Sequence, residues 1–320
     1  MIGKVFRAGG VAVGVLMLAV GVVAVWLHFS PSTSNLTIYP TSAVPLAVLS
    51  TIAAVLVFAS LRNWVLAGVS VAVAGAVLVT QVPLWRASPP PAAGSPTITV
   101  LSSNLMVGSG DVGELARLIA DVDPDVVSVQ EVTAQAFTRI ESSPITVKLP
   151  NVYAVPGPGA VGTVLLTRAA QRDQTRVPGM ILHNLAATAD LPGAPQTRLL
   201  AVHPGAPVPG AGHGESAIAD LGVLRAHIEG LPAGRLIAVG DFNATWDHKH
   251  YRDLLTGGIE DAADQAGAGW LPTYPTDRLL GRPVVGIDHV ISRGFVATEV
   301  KTYHLSGADH RVLVVRLSPR

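Results

Sequence analysis

Residues 235–245 read RLIAVGDFNAT, an apolar strand that runs directly into a carboxylate and an amide at Asp241 and Asn243. Two later stretches share this design: GIDHV at 286–290 and GADHR at 307–311 each place an Asp beside a His next to an apolar run. Strand ends that run into loops are where a rigid scaffold presents reactive groups. The three stretches therefore predict one site built from the ends of several strands.

Around these stretches, the region 97–320 mixes strand and helix patterns. Helical spacing of apolar residues predicts helices over 113–121, 213–230 and 248–255. Apolar or β-branched runs predict strands over 97–102, 125–129, 161–167, 197–202, 235–239, 284–291, 297–303 and 311–317. Strands outnumber helices, and hairpin-like neighbours alternate with β-α-β passages. This order predicts an α+β sandwich and not a doubly wound parallel sheet.

Further polar residues stand at the ends of the predicted strands. Asn104 follows the first strand in LSSNL, Glu131 ends VSVQE, and His203 ends LLAVH. Taken singly, each has an ordinary structural explanation, such as an Asn in a turn or an Asp in an Asx turn. Their combination, in this order and with the Asp-His stretches downstream, indicates a catalytic set.

The set resembles the endonuclease/exonuclease/phosphatase superfamily, which includes deoxyribonuclease-I-like nucleases, neutral sphingomyelinases and inositol-polyphosphate 5-phosphatases. The matching blocks lie within 97–320 and read SSNL, SVQE, AVHP, VGDFNAT, GIDHV and GADHR. The resemblance implies a four-layered α/β/β/α sandwich, as in deoxyribonuclease I. It also implies hydrolysis of a phosphodiester or phosphomonoester by direct attack of water, with Mg²⁺ as the metal and Mn²⁺ as the alternative.

The resemblance also implies a role for each matching position. Glu131 corresponds to the Mg²⁺ ligand, Asn104 assists the metal or binds the phosphate, and Asp309 contributes to the metal site; oxygen ligands of this kind suit a hard cation. Arg168 is either a basic residue near the substrate or a plain surface arginine. Four other histidines match no motif and are predicted to be exposed or to lie behind the site: His213, His248, His250 and His304.

The remaining positions correspond to groups that act on the phosphate. The resemblance implies that Asp241 orients or deprotonates the attacking water and that Asn243 binds phosphoryl oxygens. His203 and His310 would contact the phosphate and supply hydrogen-bond donors for developing charge. Asp288 would pair with His310, fix its tautomer and favour its protonated form.

The first 96 residues contain no Asp or Glu and are strongly apolar. Three uncharged runs, at about 9–29, 43–61 and 64–85, each approach the ~20 residues that a helix needs to cross a bilayer. They predict three transmembrane helices in an anchor at 1–86, followed by a Pro-rich linker at 87–96 (ASPPPAAGSP). The first run could instead be a cleaved signal peptide, but its length and the two later runs favour a span.

The few basic residues of the anchor predict its orientation. Lys4, Arg7 and Arg62 would lie in the cytoplasm and Arg86 outside, in accord with the positive-inside rule. With three spans, the domain at 97–320 is then extracytoplasmic, on a multi-pass protein of the plasma membrane.

Composition excludes several functions. The region 97–320 holds all 22 acidic and 18 of the 22 basic residues, a formal charge of −4, which excludes a protein that coats nucleic acid by charge. The absence of Cys excludes disulfides and thiolate metal sites. Spans without a charged residue argue against a transporter. We expect a phosphoesterase acting on nucleic acid, a nucleotide or a phospholipid, without an obligate protein partner; the alternative is an inactive binding module.

Overall fold

The structure is a computed structural model that describes residues 2–207 and 213–320, without the side chains of 2–4, 213–216 and 279. Contacts within the chain define two compact units. The first unit comprises Met1–Pro83 together with Trp246–His250, and the second comprises Leu84–Thr245 and Tyr251–Arg320. The segment Trp246–His250, which sequence reasoning assigned to the catalytic domain, thus belongs with the apolar helices.

The first unit is built from four apolar helices: α1 (Ile2–Phe29), α2 (Asn35–Ser42), α3 (Ala47–Ser60) and α4 (Trp64–Gln81). Two helical segments, Val5–Phe29 and Trp64–Trp85, are long and apolar enough to cross a membrane. A third crossing requires α2 and Val44–Ser60 to act together, and they are bent by 55° at the break between them. The run predicted as a span at 43–61 begins at this break, where Pro45 has no backbone N–H to donate within a helix.

Small residues of α1 allow α3 to approach closely. A Cβ added at Gly21 would lie 2.1 Å from Cγ2 of Thr51, and one added at Gly14 would lie 2.7 Å from the Phe58 ring. Small residues at such positions are typical of helix pairs in membranes, where close packing supplies much of the association energy.

The second unit contains two six-stranded sheets with helices. The first sheet has the order β11-β12-β1-β2-β4-β3 and the second β5-β6-β7-β8-β10-β9. The strands are β1 (Ile98–Asn104), β2 (Val126–Gln130), β3 (Asn151–Val155), β4 (Thr163–Thr167), β5 (Gln171–Arg176), β6 (Leu185–Leu191), β7 (Ala194–Val202), β8 (Leu236–Asp241), β9 (Ile259–Asp261), β10 (Asp288–Arg293), β11 (Phe295–Tyr303) and β12 (Val312–Pro319). The helices are α5 (Val112–Val122), α6 (Ala134–Glu141), α7 (Ile145–Lys148), α8 (His213–Gly230), α9 (Lys249–Arg252), shared with the first unit, and α10 (Ala262–Ala266).

Side chains that point alternately to the two faces of a strand build the two apolar cores of the second unit. In β1, Val100 faces a core between the two sheets that includes Ile237 of β8, whereas Leu101 faces a second core. That second core is completed by Leu115 of α5 and by residues of α6 and α7. Adjacent residues of a strand point to opposite faces, so both faces of the sheet are apolar and covered. In α8, Leu221, Leu224 and Ile228 are buried. The predicted α/β/β/α sandwich is confirmed.

Register brings the polar strand ends together. Asn104 of β1 pairs with Gln130 of the parallel strand β2, and Asp241 of β8 pairs with Asp288 of the antiparallel strand β10. Gly240 permits this arrangement, because a Cβ at that position would lie 1.9 Å from the carbonyl oxygen of Val202.

Three predicted elements differ from the structure. The helix predicted over 248–255 is the shorter α9, and the strand predicted over 284–291 begins only at Asp288. Val285 instead pairs with Tyr274 in an isolated bridge. The start of the Pro-rich linker packs within the second unit, where the Ser88 N–H donates to the carbonyl of Gln265 at 2.7 Å.

Candidate active site

A buried histidine between two carboxylates forms the centre of the candidate site. Nδ1 of His310 lies 2.8 Å from Oδ2 of Asp288, and its Nε2 lies 3.6 Å from Oδ2 of Asp241. All three residues are at most 5% exposed. The pairing of β8 with β10 sets the two carboxylates opposite each other, and His310 comes from the loop before β12.

Burial and charge act in opposite directions on these groups. Burial alone would lower the pKa of His310, but the charges of Asp288 and Asp241 raise it to about 10. Burial raises the pKa of Asp241 to about 7, although the charge of His310 opposes this change. At neutral pH the site therefore holds a histidine cation beside a carboxyl group that can both accept and release a proton.

The amide of Asn104 connects this centre to Glu131. Its Nδ2 donates to Oε1 of Glu131 and to Oδ2 of Asp241, both at 3.1 Å. Its Oδ1 accepts from the N–H of Met106 at 2.9 Å. The N–H of Val107 donates to Oε2 of Glu131 at 2.6 Å. Asn104 thus fixes the distance between two carboxylates that would otherwise repel each other.

The backbone around this connection adopts a rare conformation. Met106, Val107, Glu131 and Asn243 all have left-handed φ values, between 47° and 58°. Such a φ is unfavourable for residues with a Cβ and most of all for a β-branched residue such as Val107. The left-handed turn directs the N–H groups of Met106 and Val107 toward the Asn104 and Glu131 side chains.

His203 lies at the end of β7 beside the same carboxylates. Its Nε2 is 3.8 Å from Oδ2 of Asp241 and 4.0 Å from Oε1 of Glu131. Burial lowers the pKa of His203 to about 4, so its ring is neutral. Within the described chain its buried Nδ1 has no hydrogen-bond partner. Asn184 holds the backbone of His203, accepting from its N–H at 2.5 Å and donating to its carbonyl at 2.8 Å.

Asn243 follows Asp241 in a tight turn. Its backbone N–H donates to Oδ1 of Asp241 at 2.8 Å, and its Nδ2 donates to the carbonyl of Pro204 at 3.0 Å. The second amide hydrogen of Asn243 is not used by this bond and can serve a ligand.

Asp309 stands next to His310 and is half-buried. Burial raises the pKa of Asp309, and the negative charge of Glu131 raises it further, although the charge of His310 lowers it. The N–H of Thr276 donates to the Asp309 carbonyl at 2.7 Å. The ring of Tyr274 lies against His310 with centroids 4.8 Å apart.

A buried hydrogen-bond network that contacts the loop of Asn243 was not predicted. Nδ1 of His289 lies 2.9 Å from Oδ2 of Asp261, which also accepts from the Tyr251 hydroxyl. Nε2 of His289 contacts the carbonyl of Ala244, in the loop that carries Asn243. His289 stands within the IDHV motif, so the motif contained the signal; Asp261, Tyr251 and Asn184 carry no sequence signal of their own.

Several predicted residues lie elsewhere. Arg168 is at the opposite end of β4 from the strand ends that form the site and pairs with Asp123 and Asp125. Arg168 therefore does not reach the site, and of the two alternatives it is the plain surface arginine. His248 is buried and belongs to the first unit, whereas His304 is exposed. The His213 side chain lies outside the described residues.

Carboxylate oxygens at the site are candidate ligands for a divalent cation. Asp241, Asp288 and His310 each offer one ligand atom, and these atoms lie within 4.8 Å of one another. Oδ1 of Asp288 is buried and has no hydrogen-bond partner in the part of the chain that the structure describes. Nδ1 of His310 is hydrogen bonded to Asp288 and its Nε2 lies 3.6 Å from Asp241, so the charge of the histidine accounts for that cluster, and the carboxylate of Glu131 remains as an oxygen donor beside it.

A family model described as the endonuclease/exonuclease/phosphatase family matches residues 101–310. The chain belongs to this family. The match confirms the resemblance seen in the sequence, and the family consists of hydrolases that act on phosphate esters, so the chain is a phosphoesterase. No curated protein matches the sequence.

Solved structures of low sequence identity share the fold. An endonuclease/exonuclease/phosphatase from Beutenbergia cavernae is 19% identical with a TM-score of 0.56, and the match covers 70% of this chain and 72% of that one. TDP2 of D. rerio, complexed with a single-strand DNA product, is 16% identical with a TM-score of 0.55, covering 69% and 99%. The 3′-5′ exonuclease NExo of Neisseria meningitidis is 16% identical with a TM-score of 0.51, covering 68% and 98%.

Proposed function

We propose that this chain is a membrane-anchored, extracytoplasmic, Mg²⁺-dependent phosphoesterase that cleaves a phosphodiester or a phosphomonoester by direct attack of water. The observation that carries the proposal is the continuous buried array in which Asn104 joins Glu131 to Asp241, and His310 lies between Asp241 and Asp288. A carboxylate of this array can accept a proton from the attacking water, while its cationic histidine can contact the charged phosphate.

The proposed Mg²⁺ would be held by Glu131, with Asn104 and Asp309 beside it, because Mg²⁺ prefers one or two carboxylates together with water and substrate phosphate. When bound, Mg²⁺ supplies positive charge that neutralises the phosphoryl oxygens. Glu131 is a better candidate for the Mg²⁺ ligand than the cluster of Asp241, Asp288 and His310. In that cluster the nitrogens of His310 already face carboxylates.

Asp241 is the proposed base. Its pKa of about 7 gives it both protonation states near neutral pH, where proton transfer is most effective. The backbone N–H of Asn243 and the amide of Asn104 fix both of its oxygens. Asp241 would orient the attacking water and take its proton, and no covalent intermediate with the protein is required.

The two histidines have different proposed roles because their charges differ. His310, with a pKa of about 10, remains a cation and would donate to a phosphoryl or leaving-group oxygen. His203, with a pKa of about 4, is neutral and would donate one N–H to the phosphate without adding charge. Asn243 would contact the phosphoryl oxygens with its remaining amide hydrogen.

The proposed location rests on the apolar helices and their flanking charges. If the apolar helices make three crossings with Lys4, Arg7 and Arg62 inside, as the positive-inside rule favours, the second unit would lie outside the cytoplasm. A periplasm-active phosphatase fused after Arg320 should therefore be active, and a reporter that works only in the cytoplasm should be silent at the same point. The reverse pattern would overturn the orientation while leaving the chemistry untouched.

The substrate class can be tested directly with the full chain in detergent micelles. Bis(p-nitrophenyl) phosphate and p-nitrophenyl phosphate separate diesterase from monoesterase activity. Single-stranded DNA, a nucleotide and phospholipid vesicles then test the natural classes; structures of the same fold include a 3′-5′ exonuclease and a protein bound to a DNA product. Hydrolysis that disappears in EDTA and returns with Mg²⁺ supports the proposal. No hydrolysis of any phosphate ester would favour an inactive binding module.

A further inference from the structure

His289 follows Asp288 on β10 and, as its neighbour in the strand, points to the opposite face. Its side chain is buried, and each ring nitrogen faces an oxygen atom. Nδ1 lies 2.9 Å from Oδ2 of Asp261, and Nε2 lies 3.0 Å from the carbonyl oxygen of Ala244. Because a carbonyl oxygen can only accept, Nε2 donates its hydrogen to Ala244. The histidine of the IDHV motif is thus bonded to the loop that follows β8.

Both chain neighbours of Asn243 contact His289. On one side the Phe242 ring meets the His289 ring edge-on, with centroids 5.7 Å apart and an angle of 88° between the ring planes. On the other side the carbonyl of Ala244 accepts from Nε2 of His289. Asn243 itself has a left-handed φ of 50°, a conformation that is unfavourable for a residue with a Cβ and persists only when its surroundings hold it. His289 restrains the backbone on each side of this strained residue.

The ring of His289 is in turn fixed by Asp261 and Tyr251. Asp261 is 3% exposed; its Oδ1 accepts from the N–H of Ala263 at 2.6 Å, and its Oδ2 accepts from the Tyr251 hydroxyl. The fully buried Tyr251 ring lies against the imidazole with centroids 4.2 Å apart. Rings packed in this way and bonded at both nitrogens have one orientation, so Nε2 stays directed at Ala244. All of these residues belong to the second unit.

We infer that His289 is a positioning residue that acts through Asn243. It holds the residues before and after Asn243, so that the amide of Asn243 keeps its bond to the Pro204 carbonyl and presents its remaining hydrogen in a fixed direction. Asp261 holds the His289 ring and is part of the same support. The catalytic part of this inference rests on the proposed function, in which that amide hydrogen contacts the phosphate.

Two substitutions of His289 separate its two hydrogen bonds, and both are milder than truncation to Ala. The amide nitrogen of Gln reaches about as far from the backbone as Nε2 of His, and that of Asn about as far as Nδ1. His289→Gln therefore keeps a donor for Ala244, whereas His289→Asn keeps a donor for Asp261, and both lose the ring contact with Phe242. In amide hydrogen exchange of the full chain in detergent micelles, the amides of 242–245 should exchange faster in His289→Asn than in His289→Gln, by a factor on the order of 10 for one hydrogen bond.

Gln265→Ala is the matched control for a loss of stability. Gln265 is also buried in the second unit, where it donates to the Phe295 carbonyl at 3.0 Å and accepts from the Ala297 N–H at 2.7 Å. Its removal should lower the Tm and speed exchange around 295–297 while leaving exchange in 242–245 unchanged. Equal exchange of 242–245 in His289→Asn, His289→Gln and the wild type would overturn the inference without any reference to activity.

Kinetics of the same preparations test whether His289 acts through Asn243. His289→Asn should lower kcat/KM on bis(p-nitrophenyl) phosphate by about tenfold, and His289→Gln should recover part of that loss. In an Asn243→Ala background, His289→Asn should cost less than about twofold, because the group that it positions is already gone. An equal effect in both backgrounds would refute positioning of Asn243. An inactive wild type with faster exchange in His289→Asn would instead refute the proposed function and leave the holding of the loop established.

Discussion

Replacing Asp288 by Asn exchanges one carboxylate oxygen beside His310 for an amide NH2 group. It thereby removes one buried negative charge. In the wild type, Asp288 and Asp241 raise the pKa of His310 from 6.5 to about 10 in spite of burial. At 1.36 kcal/mol per pKa unit, that change corresponds to about 5 kcal/mol of preference for the cation. Asp288 is the nearer carboxylate, at 2.8 Å compared with 3.6 Å for Asp241, so it supplies the larger part.

Removal of the closer charge should therefore lower the pKa of His310 by more than half of this rise, to about 8 or below. The alkaline limit of kcat/KM should move down by the same amount, so that Asp288→Asn retains more of its activity at pH 6 than at pH 9. The assay is a pH–rate profile on bis(p-nitrophenyl) phosphate with saturating Mg²⁺. Asp123→Asn, at an exposed ion pair of the second unit, is the control and should leave the profile unchanged.

Stability gives an independent measure of the same pair. A histidine whose pKa is raised on folding stabilises the folded state fully below its unfolded pKa of about 6.5, and this contribution is lost as the pH rises through its folded pKa. Asp288→Asn should therefore lower the Tm more at pH 6 than at pH 10. A wild-type pH–rate profile in the variant, together with an equal loss of Tm at both pH values, would refute the pairing of Asp288 with a charged His310.

Four further results are expected. Glu131→Gln should lower turnover by about 100-fold or more and weaken rescue of the EDTA-treated protein by Mg²⁺, as measured by titration with the metal. Asp241→Asn should abolish activity but raise the free energy of unfolding of the metal-free protein at pH 8 by up to about 4 kcal/mol, because of the raised carboxyl pKa, and this gain, measured by urea unfolding, should vanish at pH 4. Gly240→Ala should destabilise the protein by about 3 kcal/mol or more in urea unfolding, because the new Cβ meets the Val202 carbonyl at 1.9 Å. Arg168→Ala should leave kcat and KM unchanged and cost at most about 1 kcal/mol of stability, since its ion pairs are partly exposed.

The parts of the fold that the sequence predicts are those with strong local patterns. β8 is fully buried and apolar until it reaches Asp241, so both the strand and the site at its end are evident in 235–245. The same reasoning holds for β1 with Asn104 and for β2 with Glu131 directly after it. The site can be predicted from the sequence because its polar residues directly follow apolar strands.

Elements with weak local patterns escape prediction. β5 reads QRDQTR and is mostly exposed at the edge of its sheet, so it lacks the alternation that marks a half-buried strand. β9 has three residues, Ile259–Asp261, too few to show a period. Both strands form because a neighbouring strand pairs with them, and that pairing is a property of the tertiary structure.

Contacts between distant residues escape prediction for a similar reason. His28 and Asp247 are 219 residues apart, and nothing in either local sequence identifies the other as its partner. The network of Asp261 with His289 is likewise visible only once β9 and β10 are paired. Sequence patterns indicate which residues are polar at strand ends, whereas three-dimensional pairing decides which of them meet.

The left-handed turn at Met106 and Val107 has a consequence for the order of folding. Its backbone angles are ones that neither residue favours, so the turn is scarcely populated in the unfolded chain. The carboxylate of Glu131 accepts from the Val107 N–H, and that partner becomes available only after β1 and β2 are paired. We therefore expect the edge formed by Asn104, Val107 and Glu131 to be among the last regions to form and the first to open, so that mild denaturant abolishes activity before it unfolds the sandwich.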